Sequence, residues 1–312
     1  MQSKLLVVSE KGIGDALTLI PGIHALKKVR PDIDICLLSP GIHALRENYR
    51  TLAEIINPPE ISEFCAHELI GWLTKNNFAH VWNTTNRNNV WRDAIQLAGN
   101  PRWKSAAPHK TLARSPMIKQ RVHQLRTLFP EVAACEEFGC ILTLEQEKIC
   151  RGFKDQRSAF TSIIALQPGS NKRIKNWPAE KYRALALKLA EDEKMLVVFF
   201  LTSRDAEIFT PEFAGGGANI ERIIDPLETA VAKLAACDIF VGNDSGFYHL
   251  AHAVGLPVVG LFRTLRSAWM WAYRGKRNRA IYHYLPSRLR KYWSRLIAVN
   301  RVYRAVCRIL HR

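Results

Sequence analysis

The chain repeats one pattern in two series: a short apolar run, then a loop, then a segment with helical periodicity. In the first half, the apolar runs KLLVVS, DICLLS and HVWNTT occupy 4–9, 34–39 and 80–85. Strands that alternate with helices form a parallel sheet with helices packed on its faces. The first half is therefore predicted to be a doubly wound α/β domain, with helices near 18–30, 66–76, 89–98 and 116–128.

The alternation starts again after a polar, less periodic stretch at about 130–160. At 312 residues, the chain is long enough for two domains of roughly 150 residues each. We predict an N-terminal Rossmann-like domain at 1–155, a second at 156–265 and a helical extension at 266–312. The second series predicts strands at 161–167, 195–201, 219–224, 238–242 and 257–262, with helices at 178–191, 203–209, 227–236 and 246–254.

The positive charge of the chain is concentrated at its C-terminal end. The formal net charge is +17, and from Arg263 onward there are 14 Lys or Arg residues and no Asp or Glu. The preceding 262 residues contain 31 basic and 28 acidic residues, so the body is close to neutral. We therefore expect no specific nucleic-acid partner. A non-catalytic nucleotide-binding or nucleic-acid-binding protein with a basic tail remains the alternative class.

The basic tail also has an apolar periodicity. Apolar or aromatic residues recur at spacings of three, four or seven among the arginines, which predicts a basic amphipathic helix. One interpretation is peripheral binding to an anionic membrane surface. The other is that the apolar stripe packs on the N-terminal domain, and the sequence leaves both open. The periodic residues are Leu289, Trp293, Leu296, Tyr303, Cys307 and Leu310.

The loop after the first predicted strand contains a candidate catalytic carboxylate. Gly12 and Gly14 follow strand 4–9, and Asp15 lies at the start of the next helix. An acid in this position can simply cap a helix. The two glycines favour a ligand-binding loop, since they allow close approach of the backbone to a ligand.

The loop LQPGSNKRIKNWP at 166–178 has the chemistry of a phosphate site. Gly169 permits close approach and Ser170 offers a polar donor. The cations Lys172, Arg173 and Lys175 lie just before a helix N-terminus. The alternative is a basic, solvent-exposed turn.

The loop at 241–262, VGNDSGFYHLAHAVGLPVVGLF, joins a strand to an amphipathic helix. Asp244 or Ser245 can cap that helix, with His249 as a surface residue one turn further on. Gly246 argues against capping alone, because a small residue in the first turn lets a phosphate approach the helix N-terminus.

Taken together, GIGDALTLIPGIHAL, PGSNKRIKNWP and NDSGFYHLAHAVGLPVVGLF resemble the heptosyltransferase family, glycosyltransferase family 9. The resemblance spans residues 4–262. It implies a GT-B fold, in which two Rossmann-like domains face a central cleft. It also implies an inverting, metal-independent transfer of heptose from an ADP-sugar to the inner core of lipopolysaccharide, with no cofactor.

The resemblance assigns roles to residues in the three loops. Asp15 becomes the catalytic base, and Lys175 a contact of the donor phosphates. The remaining expected donor contacts are Gly14, Ser170, Lys172, Asp244, Ser245, Gly246 and His249. Residues 201–207 replace the usual Gly-Pro turn of the family, and either Asp205 or Glu207 is a candidate ribose contact.

The expected acceptor is a lipid-linked or lipopolysaccharide glycan. The sequence shows no export signal, and its seven cysteines are scattered without metal-ligand spacing. These features predict a cytoplasmic protein. The basic tail and the expected acceptor add a peripheral position at the inner face of the inner membrane, and no apolar run is long enough to span a bilayer. A sugar-nucleotide epimerase on the same fold is the remaining alternative.

Overall fold

The computed structural model divides the chain into two compact units, Met1–Ile141 and Leu142–Arg312. Each unit contains one parallel sheet with helices packed against it. The residues that the structure describes are 3–9, 12–56, 64–84, 90–105, 115–135, 137–210 and 217–311.

The sheet of the first unit has the order β3-β2-β1-β4-β5. Its central strand β1 pairs in parallel with β2 on one side and with β4 on the other. Leu5 to Val8 of β1 are fully buried, as expected for a strand covered on both faces. The strands are β1 (Ser3–Val8), β2 (Ile33–Leu38), β3 (Glu54–Ile56), β4 (Phe78–Asn83) and β5 (Trp103–Ser105).

The helices of the first unit follow the strands as the sequence pattern predicts. A 3₁₀ segment at Pro40–Tyr49 was not predicted, and its backbone is kinked at Leu45. The α-helices are α1 (Ile13–Leu17), α2 (Ile20–Val29), α3 (Ala66–Lys75), α4 (Val90–Ala98) and α5 (Met117–Leu125).

The sheet of the second unit has six parallel strands in the order β11-β10-β9-β6-β7-β8. Every residue of β7 is buried, which explains the uninterrupted apolar run MLVVFF. The strands are β6 (Ser162–Gln167), β7 (Met195–Phe200), β8 (Ile220–Ile223), β9 (Ile239–Asn243), β10 (Val258–Leu261) and β11 (Arg279–Ile281).

The helices of the second unit include both predicted and unpredicted elements. They are α6 (Leu144–Asp155), α7 (Ala179–Ala190), α8 (Ser203–Ala206), α9 (Leu227–Ala235), α10 (Gly246–Ala253), α11 (Leu265–Trp271), α12 (Trp293–Leu296) and α13 (Val299–Leu310). Two 3₁₀ turns occupy Arg173–Lys175 and Ser287–Tyr292. Among the described residues, no helix is both long and apolar enough to cross a bilayer.

Both sheets reverse their winding direction between two central strands. In the first unit the chain proceeds from β1 to β3, then returns to place β4 beside β1. In the second unit β9 returns to lie beside β6 in the same way. Ligands of doubly wound sheets bind outside the carboxyl ends of the strands at such a reversal. The loops after β1, β6 and β9, which contain the predicted site residues, therefore lie next to these reversals.

The division between the units falls earlier than the predicted 155/156 boundary. Helix α6 belongs to the second unit because it packs against α9. Gln146 of α6 donates from Nε2 to the carbonyl of Glu228, at 3.0 Å. Just after α6, Arg157 forms an ion pair of 2.7 Å with Glu221 of β8.

The segment 266–312 also belongs to the second unit and is not a separate extension. Strand β11 pairs with β10 and so completes the sheet. Further on, Trp293, Ile297, Val302 and Val306 lie in the same hydrophobic core as β6, β7 and β9. The predicted continuous tail helix is instead divided into a 3₁₀ turn and the two helices α12 and α13.

Candidate active site

In the second unit, the loops after β6 and β9 meet through an ion pair. Lys175 Nζ lies 2.7 Å from Asp244 Oδ2 and 3.3 Å from the carbonyl oxygen of Asp244. The Lys175 side chain is about one third exposed, whereas that of Asp244 is almost buried. The pair therefore presents a cation at the carboxyl ends of the two central strands, where a doubly wound sheet binds its ligand.

Asn243 holds the two loops together beneath this ion pair. Its Nδ2 donates to the carbonyl of Pro168 at 2.6 Å, and its Oδ1 accepts from the backbone N–H of Trp177 at 3.0 Å. The asparagine is completely buried, and both of these hydrogen bonds cross from one loop to the other. Asn243 lies in the loop predicted at 241–262, but its residue type and position alone did not indicate this role.

The side chains at the start of α10 do not cap that helix. Ser245 is the N-cap residue, yet its hydroxyl donates to Gln167 Oε1 at 3.0 Å. The Asp244 carboxylate is paired with Lys175. Neither side chain therefore occupies the N-terminal N–H groups of α10, where Gly246 is the first helical residue. A helix N-terminus whose N–H groups are not bonded to a side chain attracts anions.

His249 is buried in an aromatic cluster, contrary to the surface position of the capped-helix interpretation. Its Nδ1 lies 2.6 Å from the hydroxyl of Tyr273, and its ring packs edge-on against Trp271. Burial lowers the pKa of His249 to about 3, assisted by the charge of Lys175 and by His252. The imidazole is therefore neutral at physiological pH, with one nitrogen engaged by Tyr273.

The remaining predicted donor contacts in the loop after β6 behave differently from one another. Ser170 is half-buried, and its single hydroxyl proton can be donated either to the carbonyl of Lys172, at 2.9 Å, or to Asn176 Oδ1. The side chain of Lys172 is exposed and makes no hydrogen bond or ion pair within the described part of the chain. Lys175, but not Lys172, is thus fixed in place by Asp244.

Of the two candidate acids after β7, Asp205 lies at the donor loop. A Cβ added at Gly169 would overlap the Asp205 carboxylate, so the missing side chain of this glycine makes room for the acid. Asp205 Oδ2 also accepts from the hydroxyl of Thr202, the N-cap residue of α8, at 2.8 Å, and so completes the capping box of that helix. Glu207 is exposed at the end of the same helix.

In the first unit, Asp15 lies in the first turn of α1 at the carboxyl end of β1. Gly12 is the N-cap residue of this helix, and Gly14 precedes Asp15 within it. Asp15 is partly exposed, and its carbonyl accepts from the Thr18 hydroxyl at 2.7 Å. The predicted catalytic loop is therefore at the reversal point of the first sheet.

A buried arginine that the sequence analysis did not identify interacts with Asp15. Arg121 is 2% exposed, and its Nη1 donates to the carbonyl of Thr84, which follows β4. Burial lowers the pKa of Arg121, and the negative charge of Asp15 opposes this effect. One sequence signal was present, since Arg121 lies four residues from both Met117 and Leu125, on the apolar face of α5.

Comparison with known proteins shows the family to which the chain belongs. The family model described as glycosyltransferase family 9 (heptosyltransferase) matches residues 102–287, which is more than half of the chain. The chain therefore belongs to glycosyltransferase family 9, a family of enzymes that transfer glycosyl groups.

A curated protein is similar to this chain over part of its sequence. The curated lipopolysaccharide heptosyltransferase 2 of Salmonella typhimurium is 31% identical over 125 residues, or 38% of this chain and 35% of that protein. The aligned region thus spans about a third of this curated relative.

Solved structures match over nearly the whole chain. The E. coli ADP-heptose lps heptosyltransferase II is 20% identical, has a TM-score of 0.75 and is matched over 99% of this chain and 98% of its own. The glycosyl transferase family 9 protein from Veillonella parvula DSM 2008 is 16% identical, with a TM-score of 0.79 over 99% and 97%. These matches confirm the predicted fold class, two doubly wound α/β units of the GT-B type.

Proposed function

We propose that the protein transfers a heptose from an ADP-heptose donor to a lipopolysaccharide core or a related surface glycan. The observation that carries the proposal is the Lys175–Asp244 ion pair beside the uncapped N-terminus of α10. A cation and a helix N-terminus at the reversal point of a doubly wound sheet suit the diphosphate of a nucleotide sugar. The names of the curated and structural relatives supply the heptose, the ADP and the acceptor.

In the proposed reaction, the acceptor hydroxyl oxygen attacks the anomeric carbon of the donor and forms the new glycosidic bond. The bond from that carbon to the diphosphate oxygen breaks, and the diphosphate leaves with the electron pair. Asp15 takes the hydroxyl proton as general base, a contribution of ~10²–10⁴-fold. Attack opposite to the leaving group inverts the anomeric configuration.

The other residues of the second unit bind and orient the donor in this proposal. Lys175 and the N–H groups at Ser245 and Gly246 stabilise the negative charge on the leaving diphosphate. Asp205, next to Gly169, is the proposed ribose contact. His249, held neutral by burial, offers its second ring nitrogen as an uncharged hydrogen-bonding group.

Asp15 would be supported by the buried Arg121. The positive charge of its guanidinium attracts the Asp15 carboxylate, which helps to hold the proposed base in one position. Arg121 is a positioning residue in this proposal, because it acts through Asp15 while the backbone carbonyl of Thr84 holds its guanidinium in place.

The proposed acceptor implies work at the cytoplasmic face of the inner membrane, with the basic tail toward anionic lipid. A lipid-linked glycan is presented at that surface, and each cation close to it contributes roughly 1 kcal/mol to binding.

The experiment has two stages. Thermal unfolding is first followed with ADP-, GDP-, UDP- and CMP-sugars, since a ligand at 100 times its Kd stabilises the native state by about 2.7 kcal/mol. ADP-heptose and a heptose-deficient lipopolysaccharide are then supplied together. We expect stabilisation by ADP-sugars, gain of one heptose on the acceptor and release of ADP. Isomerisation of the donor without transfer would instead assign an epimerase.

A further inference from the structure

An exposed stretch of the C-terminal region combines apolar side chains with unpaired cations. We call residues 284–296 the exposed tail segment. Tyr284 is 81% exposed, and Leu289, Tyr292 and Leu296 are 41–48% exposed. Large apolar side chains are rarely exposed in such numbers over so short a stretch without a binding partner.

The cations of the exposed tail segment lack acidic partners. Arg288, Arg290, Lys291 and Arg295 are all exposed. None of them forms an ion pair within the ranges of the chain that the structure covers, and the sequence has no acid after Asp244. A cluster of cations without counter-charges favours an anionic partner.

The inner side of this segment is held against the second unit. Trp293 is 1% exposed and donates from Nε1 to the carbonyl of Ile174 at 3.0 Å. Lys181 Nζ donates to the carbonyl oxygens of Arg295 and Ile297, at 2.6 and 2.8 Å. These hydrogen bonds hold the segment on the second unit, and its other apolar and cationic side chains remain exposed to solvent.

Helix α13 cannot present its own apolar stripe to a partner. Val302, Val306 and Ile309 form that stripe, and all three lie in the core of the second unit. Arg301, Arg304 and Arg308 lie on the exposed face of the helix. Helix α13 therefore adds positive charge C-terminal to the segment, while its main apolar stripe is already used by the core.

We propose that the exposed tail segment is a docking surface for a bilayer with anionic headgroups. Its cations meet the negative surface potential, while Leu289, Tyr292 and Leu296 enter the boundary between headgroups and acyl chains. Tyrosine is well suited to that boundary, because its ring is apolar and its hydroxyl remains hydrated. Nucleic acid would satisfy the cations but would offer no apolar environment to the leucines.

The docking proposal depends on the proposed function only for its biological role, which is access to a lipid-linked acceptor. Vesicle binding needs neither donor nor acceptor, so it is measured independently of transfer. A protein that docks but transfers no sugar would refute the proposed function alone. A protein that transfers sugar to a soluble acceptor but ignores vesicles would refute the docking surface alone.

The test uses co-sedimentation of the full chain with phosphatidylglycerol–phosphatidylcholine vesicles and with pure phosphatidylcholine vesicles. We expect binding to the anionic vesicles only, and its loss at high salt. The variant R290Q/K291Q should bind about 30-fold more weakly, since each cation near the surface contributes roughly 1 kcal/mol. Substitution of both exposed leucines, L289S/L296S, should weaken binding at every salt concentration.

Matched controls separate this surface from net charge and from folding. K148Q/R151Q removes the same charge from the exposed face of α6, and L144S removes a leucine that is 77% exposed there. Both controls should bind vesicles as the wild type does, and thermal unfolding should show that all variants are folded. Wild-type binding by a folded tail variant would overturn the proposal. So would an equal loss in the α6 controls, or a preference for duplex DNA over anionic vesicles.

Discussion

Trp293, in the C-terminal region, donates its indole N–H to the carbonyl of Ile174, in the turn that carries Lys175. A second hydrogen bond runs in the opposite direction, from Trp177 Nε1 to the carbonyl of Ile297, at 3.1 Å. Both indoles are buried. The C-terminal region thus braces the turn that supplies the proposed donor-phosphate contact, although more than 110 residues separate the partners in each pair.

The substitution W293F tests this brace. Phenylalanine keeps most of the buried ring but removes the donor, which leaves the Ile174 carbonyl without this bond and costs ~1–3 kcal/mol. We expect a lower unfolding temperature and weaker donor binding, because the turn at Lys175 becomes less fixed. W269F is the control, since Trp269 is 45% exposed. Donor affinity that is unchanged in folded W293F would show that the brace supports the fold and not the site.

The substitution K175A should weaken donor binding by about tenfold or more, because a hydrogen bond to a charged group contributes ~1.5–3 kcal/mol. It also leaves the nearly buried Asp244 carboxylate without its cation, so the free energy of unfolding should fall. Donor affinity is measured by calorimetry with ADP, and stability by thermal unfolding.

The substitution K172A is the matched control for K175A. Lys172 lies in the same turn but is exposed and forms no ion pair in the described structure. We expect a smaller loss of donor affinity and no loss of stability. Equal effects of the two substitutions on ADP binding would show that the turn contributes only diffuse positive charge, and the specific role of Lys175 would be wrong.

The substitution D15N should abolish turnover and leave donor affinity and stability near the wild-type values. Asparagine keeps the shape of the side chain and its ability to cap a helix, but it cannot accept the proton of the acceptor hydroxyl. Single-turnover transfer and ADP binding measure the two effects separately. A variant that retains the wild-type kcat would reduce Asp15 to a structural residue of α1.

The strand pattern was predictable because long central strands leave a clear signal in the sequence. β7 is buried along its whole length, so its apolar run could be recognised without any partner. β3, β5 and β11 have three residues each and were missed, because such short edge strands have no periodicity of their own. Their existence depends on the neighbouring strand with which they pair.

The loops of the candidate site were predictable from the sequence, but the buried residues that support them were not. Lys175 and Asp244 follow strands and carry obvious charges, so both were identified. Trp293 was assigned to the apolar stripe of an amphipathic tail helix, whereas it is buried beside the loop after β6. Tyr273 is likewise buried, and its hydroxyl contacts His249. Long-range contacts decide this difference, and a single sequence contains no signal for the partner of a buried aromatic ring.

The C-terminal tail is a second example of a contact that the sequence pattern could not predict. Its spacing predicted one amphipathic helix with Tyr303, Cys307 and Leu310 on the apolar face, whereas the buried face of α13 consists of Val302, Val306 and Ile309. The pattern could not reveal what that face packs against, because a core and a bilayer both favour the same apolar residues. In the structure that face belongs to the core of the second unit.

The stability of the second unit should decrease as the pH falls from neutral, because two of its histidines, the buried His249 and the partly buried His252, are neutral in the folded protein. Burial lowers the pKa of His249 to about 3 and that of His252 to about 4, and His252 stacks on Tyr273 with 3.7 Å between ring centroids. In the unfolded chain both take up a proton near pH 6.5. Their contribution to stability is therefore complete above pH 6.5 and is lost as the pH falls toward the folded-state values.

The variant H252F tests this pH dependence, since phenylalanine keeps the stack on Tyr273 but cannot be protonated. Each such histidine makes unfolding easier by about 1.4 kcal/mol per pH unit between its two pKa values. Between pH 6.5 and about 4, the fall in the free energy of unfolding should thus be shallower in H252F than in the wild type by about that slope. Urea unfolding at a series of pH values measures both slopes, with the exposed His311 changed to Gln as the control. Parallel curves for H252F and the wild type would mean that His252 already carries a proton in the folded protein.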